Sequence, residues 1–253
     1  MPDLSPTIVG RLFNSNTQFS SANAWGLAMP HTDSTGTTST TSTGETGAIN
    51  STFGYLSSTI TVSDIRVVVM SFNTSTISSA PTSAILKVFG KTNTQTGDPS
   101  GGSSDGILGL KTTLGATDSL ENADWGRLDL SGAGPILYTD TLTTWNKVGD
   151  STEHNTFTLN STALTDIGDN DTFQIAIAHK FMYDKWDTQP PFGFPNASPD
   201  GDNDFGAQAG MYFETVDDYK PVLTYQVPGP EQPSPFNVIS GNVVVRAGSI
   251  TIK

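Results

Sequence analysis

The chain has 253 residues, no cysteine, and 25 acidic against 12 basic side chains, a formal charge of −13 at pH 7. That inventory excludes a disulfide framework, a thiolate nucleophile and Cys-ligated zinc or iron–sulfur centres. It also argues against nucleic acid or an anionic membrane as the main partner, because phosphate binding needs clustered Lys and Arg.

Serine and threonine make up 63 residues, so the surface is hydrated by hydroxyls more than by charge. The start, Met1-Pro-Asp-Leu-Ser-Pro6, carries neither a basic n-region nor an apolar h-region, and no signal peptide is expected. No apolar run approaches the roughly 20 residues of a membrane span.

The elements read from the N-terminus are almost all strands. A Thr/Ser/Gly-rich stretch over 32–47 cannot bury anything and is expected to form a loop. Residues 62–72 are dense in β-branched side chains and read as a strand. Residues 83–90 follow Pro81, with Leu86 and Val88 on one face and Ile85, Lys87 and Phe89 on the other. Residues 156–160 alternate, with Phe157 and Leu159 together. The segment around Ser161–Ile167 offers one helical turn. Residues 171–179 alternate again, Phe173, Ile175 and Ile177 against Gln174, Ala176 and Ala178. Residues 187–206, with four prolines and four aspartates, read as a long loop. Strands at 210–215 and 221–227 close the set.

Many short strands without intervening helices describe an all-β sandwich or barrel. The Pro-rich run 228–236 is a stiff spacer and the best boundary in the chain. It separates a β-sandwich domain over 1–227 from a strand-forming tail over 237–253. Seventeen residues cannot own a core, so the tail must pair with the parent domain or with another chain.

The succession Ala84-Ile-Leu-Lys-Val-Phe89, Thr144-Trp-Asn-Lys-Val148, Phe157 to Ile167, Phe173-Gln-Ile-Ala-Ile-Ala178 and Tyr219-Lys-Pro-Val-Leu-Thr-Tyr225 resembles jelly-roll-like β-sandwich domains of bacteriophage virion proteins, of decoration or fibre type. The resemblance spans roughly residues 60–227 and rests on pattern. It implies a jelly-roll-like antiparallel sandwich and a structural or adhesive role, and it transfers no catalytic residue.

Candidate chemistry is sparse. Asp200, Asp202 and Asp204 stand at i, i+2 and i+4, a spacing with which a loop can wrap Ca2+. Phe205 stands where an EF-hand has glycine, and no Glu occupies the twelfth position, so an acidic surface loop is the competing reading. Asp166, Asp169 and Asp171 make a second acidic turn. Only five glutamates and three histidines, His31, His154 and His179, are present, and no Gly-x-Ser-x-Gly elbow occurs.

The expectation is therefore a non-enzymatic protein without a cofactor, Ca2+ being the one candidate. Trp186 and Tyr183, with Trp125, Trp145, Phe192 and Phe194, fall in or beside loops. They would stack on sugars in the alternative reading, a carbohydrate-binding or adhesive module; the favoured reading makes them caps of the core. In the favoured reading the chain is an accessory protein of a phage particle: a capsid decoration, head fibre or tail-associated protein. It would be assembled in the host cytoplasm and located in the virion. Its partners would be other virion proteins or copies of itself, and cell-surface glycans in the alternative. Val243, Val245, Ile250 and Ile252 of the tail are the expected assembly contacts, by strand addition to a partner edge.

Overall fold

The computed structural model describes residues 1–18, 37–40, 45–57, 60–96, 106–115, 119–128, 135–144, 153–180, 183, 205–212, 219–229, 243–246 and 249–252. The strands are β1 (Asp3–Leu4), β2 (Pro6–Gln18), β3 (Thr37–Thr40), β4 (Glu45–Ser57), β5 (Ile60–Asn73), β6 (Ser83–Val88), β7 (Gly90–Thr96) and β8 (Gly106–Lys111). A 3-10 helix (Asn122–Leu128), β9 (Thr143–Thr144), β10 (Asn155–Thr158), helix α1 (Ser161–Asp169) and β11 (Thr172–His179) follow. β12 (Phe205–Tyr212), β13 (Val222–Gln226), β14 (Val243–Arg246) and β15 (Ser249–Ile252) complete the chain.

The expected sandwich is present. One sheet has four strands in the order β1-β13-β6-β10. The other has nine, running β7-β12-β4-β5-β11-β8-β9, with β2 on β5 and β3 on β2. Strand pairing is antiparallel throughout.

β5 organises the larger sheet. Along one edge it pairs with β2 from Thr61 to Phe72. The opposite edge is shared, with β4 on Ile60–Arg66 and β11 on Val68–Asn73.

The second half of β5 is buried on both faces. Val68, Met70 and Phe72 face the four-stranded sheet and join Leu86, Val88, Phe157, Phe173, Ile175 and Leu223 in the main core. Val67 and Val69 lie on the opposite face, with Leu108, Leu110, Ala176 and Ala178, under Trp125 and Leu128 of the 3-10 helix. β11 was expected to have one apolar face and one face of Gln174 and small alanines. Those alanines are buried too, because a small side chain lets a third layer approach the sheet closely. Each large side chain buried this way stabilises the fold by about 1.5–3 kcal/mol.

The sandwich is closed along both sides by chain that passes from one sheet to the other, one of the devices that spare a β protein exposed edges. β1 pairs with β13 in the small sheet, and after Ser5 the chain continues as β2 in the large one. β6 and β7 belong to different sheets and are separated by Phe89 alone. Phe89 is buried, edge-on to Tyr219 and His154. On the far side, residues 135–144 form a strap that bridges to β8 through Leu137 and Leu110, and to the end of β10 through Thr139 and Leu159.

Threonine hydroxyls fasten these joints. Thr224 donates to Asp3, Thr7 to the Ser71 carbonyl, Thr74 to the Asn170 carbonyl and Thr143 to the Thr156 carbonyl. The hydroxyl-rich composition thus supplies uncharged cross-links between segments remote in sequence.

Two expectations are corrected. The Thr/Ser/Gly-rich stretch 32–47 is not all loop: Thr37–Thr40 form β3 against β2, and β4 starts at Glu45. Threonine is β-branched and suits a polar edge strand, a preference that outweighs low complexity here. The helical turn near Ser161 is a nine-residue helix. Asn160 caps it, accepting from the Ala163 N–H at 3.1 Å, and Ala163 and Ile167 place an apolar stripe on the main core. Among the described residues no helix is long and apolar enough to cross a membrane.

Helix α1 lies so close to the chain at Ser79–Ala80 that a Cβ on Gly168 would sit 2.6 Å from the Ala80 Cα. Gly168→Ala is therefore expected to lower the unfolding free energy by about 1–3 kcal/mol. Gly229→Ala, with nothing within 4 Å of the added carbon, should change it by less than about 0.5 kcal/mol. Urea denaturation of the two variants checks the difference.

Candidate functional site

Charged side chains converge at one side of the sandwich, where β8 ends and the strap, α1 and the 3-10 helix meet. The backbone sets the place. Tyr138 N–H donates to the Gly109 carbonyl, and Asn160 N–H donates to the Tyr138 carbonyl. The Asn160 side-chain amide donates to the Leu137 carbonyl and to Asp140, each at 3.0 Å, while its oxygen caps α1. Helix and strap are thereby fixed to each other. Close packing helps: a Cβ on Gly109 would lie 3.0 Å from Ile175 and 3.1 Å from Thr139.

On this frame the Tyr138 ring stacks on Phe173 at 5.2 Å, and its hydroxyl donates a short hydrogen bond to Asp166 Oδ2. Lys111 donates to the same oxygen at 2.6 Å. Burial, and then the Asp166 carboxylate, push the Tyr138 phenol well above its ordinary value of 10.0. The hydroxyl is thus held neutral as a donor, the opposite of what a nucleophile or base requires.

A second knot lies on the other side of Lys111. Asp124 is fully buried and accepts from the Gly115 N–H at 2.8 Å and the Glu121 N–H at 2.9 Å. It pairs with Arg127 Nε at 3.1 Å, and Arg127 also donates to the Thr113 carbonyl. These bonds tie residues 113–115 to residues 121–127 in the cover that holds Trp125 over Ala176 and Ala178. Both knots use their carboxylates for architecture. Between them lies a pocket of about 200 Å3 lined by Lys111, Thr112, Thr113, Arg127, Leu128, Pro135 and Ile136.

The residues singled out from sequence fare differently. Asp200, Asp202 and Asp204 lie outside the described residues, as do Trp186, Trp145, Phe192, Phe194 and His31. Tyr183 is half-buried against the second core cluster. Trp125 is 0% exposed: it caps the core, as the favoured reading of these rings has it, and is no sugar platform. In the Asp166, Asp169 and Asp171 turn, Asp166 is taken up by Tyr138 and Lys111. Among the described residues no group of three His, Asp or Glu side chains could hold a metal ion.

The tail was expected as a single strand of alternating faces. Instead, β14 and β15 pair with each other, Val243 opposite Ile252 and Val245 opposite Ile250. Arg246 stands opposite Ser249. Tyr138, Lys111, Asp124 and Arg127 went unnoticed in the sequence, because nothing in their spacing marks residues that meet only through the fold.

Comparison with known proteins finds no matching family model and no similar curated sequence.

The Tyr138 phenol gives the site a pH signature. Its folded-state value is raised, so above pH 10 the unfolded chain releases a proton that the folded chain retains. The stability this contributes is complete below about pH 10 and is lost as pH rises beyond it. Urea midpoints should fall more steeply above pH 10 for the wild type than for Tyr138→Phe, and equal slopes would remove Tyr138 from the account.

Proposed function

We propose that the protein is a non-enzymatic structural accessory protein of a phage particle, such as a capsid decoration, head-fibre or tail-associated protein, attached through its terminal β segment. The observation that carries this reading is the β14–β15 register. It pairs four β-branched residues, Val243 with Ile252 and Val245 with Ile250, in a two-stranded hairpin that pairs with no other described strand. An isolated hairpin is marginal in water, so this one needs a partner.

The hairpin carries Arg246 and no acidic residue, and Lys253 follows it, on a chain of −13. A neutral or acidic receiving surface therefore suits it. The prolines at 228, 230, 233 and 235 cannot donate ladder bonds, which favours separation of the hairpin from the body. The viral setting rests on the resemblance of residues 60–227 to virion sandwiches. The Tyr138 and Asp124 knots support a structural role, since the Asp166 and Asp124 carboxylates are taken up in holding the fold.

A chain ending at Val227 should keep the melting temperature of the full protein and lose self-association or particle binding, read by light scattering and by copy number in purified particles. Val245→Asp in the full chain should reproduce that loss. If the shortened chain unfolds while the full chain is a stable monomer, the tail belongs to the body and attachment is excluded.

A further inference from the structure

Given the attachment role proposed for the tail, on which this inference rests, the hairpin needs a receiving edge. Among the described strands, β7 is the longest with a neighbour on one side only. Its seven residues pair with β12 from Gly90 to Thr96, and no described strand lies on its other side. The other strands of the body paired on one side only, β1, β3, β9 and β10, have two to four residues. The β10 edge is also engaged already, by the Thr143 hydroxyl on the Thr156 carbonyl.

Composition sets β7 apart as well. Sheet edges are commonly blunted by charges, by proline or by a bulge. In β7 the one charge is Lys91, and the register shift against β12 falls at the Gly90 end. Residues 92–96, Thr-Asn-Thr-Gln-Thr, carry neither charge nor proline. That neutral stretch is longer than either tail strand, each of four residues. β14 and β15 pair only with each other among the described strands, so each keeps one row of backbone groups unmatched by them. Main-chain hydrogen bonds of this kind carry strand addition.

The direction of the chain decides whose β7 is meant. β13 runs antiparallel to β6, with Gln226 opposite Ser83 and Val222 opposite Lys87. The tail therefore leaves beside the start of β6, whereas β7 begins just past the end of β6, after Phe89. The prolines at 228, 230, 233 and 235 favour an extended spacer, which carries the hairpin onward and not back along its own body. We propose that the β14–β15 hairpin of one copy adds to the β7 edge of a second copy and extends that copy's larger sheet. Hairpin and edge are different surfaces, so the contact repeats from copy to copy and builds a ring or an open chain.

The chain has no cysteine, which makes disulfide trapping specific. Full-length Thr94→Cys and Thr251→Cys variants, mixed and oxidised, should give a disulfide-linked pair of one copy of each, seen on a non-reducing gel. Neither variant alone should give it. The double variant Thr94→Lys, Gln95→Lys should keep the melting temperature and weaken self-association about tenfold, because it brings cations to the edge that receives Arg246. Absence of the mixed disulfide, undiminished self-association of the double variant, or a full chain that stays monomeric in light scattering would each overturn β7 as the receiver. If self-association is nevertheless lost in the chain ending at Val227, the attachment role of the tail stands without β7. Undiminished self-association of that shortened chain would overturn both.

Discussion

Burial of both faces of the β5–β11 ladder is the constraint on which the rest of the structure depends. Val67, Val68, Val69 and Met70 are consecutive and all fully buried, so each face of the sheet must be covered by something. The four-stranded sheet and α1 cover one face, and the 3-10 helix with Trp125 and Leu128 covers the other. Antiparallel sheets commonly leave one face to water. The β5–β11 ladder does not, which is why β11 sets large residues toward the inter-sheet space and alanines toward the thin cover. Asp124 matters for the same reason. By collecting the Gly115 and Glu121 N–H groups and Arg127, a buried carboxylate shapes irregular backbone into a lid for the second face.

The polar residues serve the same end by a different route. A chain with only 15% charged residues cannot rely on ion pairs, and surface pairs contribute little in any case. Its threonines instead bond backbone carbonyls and the Asp3 carboxylate of other segments, where a neutral hydroxyl costs less to desolvate than a charge. Thr139 shows the geometry: its hydroxyl accepts from the Gly109 N–H at 3.0 Å, at a point where the β8 ladder gives way to the strap.

Much of the fold was legible because burial leaves a periodic trace. Phe157 with Leu159, and Phe173 with Ile175 and Ile177, stand on the core face as their alternation indicates. The strands at 62–72 and 221–227 lie within a residue or two of β5 and β13. The elements that escaped carry no such trace. β7 is built from Gly, Lys, Thr, Asn and Gln, and Thr, Ser, Asn and Gly make up seven of the thirteen residues of β4; their strand state follows from pairing with β5 and β12, which local composition does not encode. The faces of 83–90 were read correctly as far as Val88, but Phe89 leaves the alternation because the chain changes sheets there. The tail hairpin was missed for a related reason: period-two alternation looks the same in one strand as in two strands joined by a short turn. The charged convergence at Lys111, Asp166 and Tyr138 joins residues up to 55 positions apart. No local spacing announces a meeting that topology alone arranges.

The β1–β13 pairing has a consequence for the order of events in the making of the protein. Asp3 meets Thr224 across 221 positions, and β6 waits for the same β13 between itself and β1. A ribosome must therefore deliver nearly the whole body before the small sheet can close. The β2, β4 and β5 ribbon, whose partners are nearby in sequence, can form much earlier. Pairings of such long range close slowly, because the loop entropy is lost before any contact compensates. Until β13 arrives, the cover over the apolar side of β5 stays incomplete, and that interval is when the nascent chain is most open to aggregation or to the help of a chaperone.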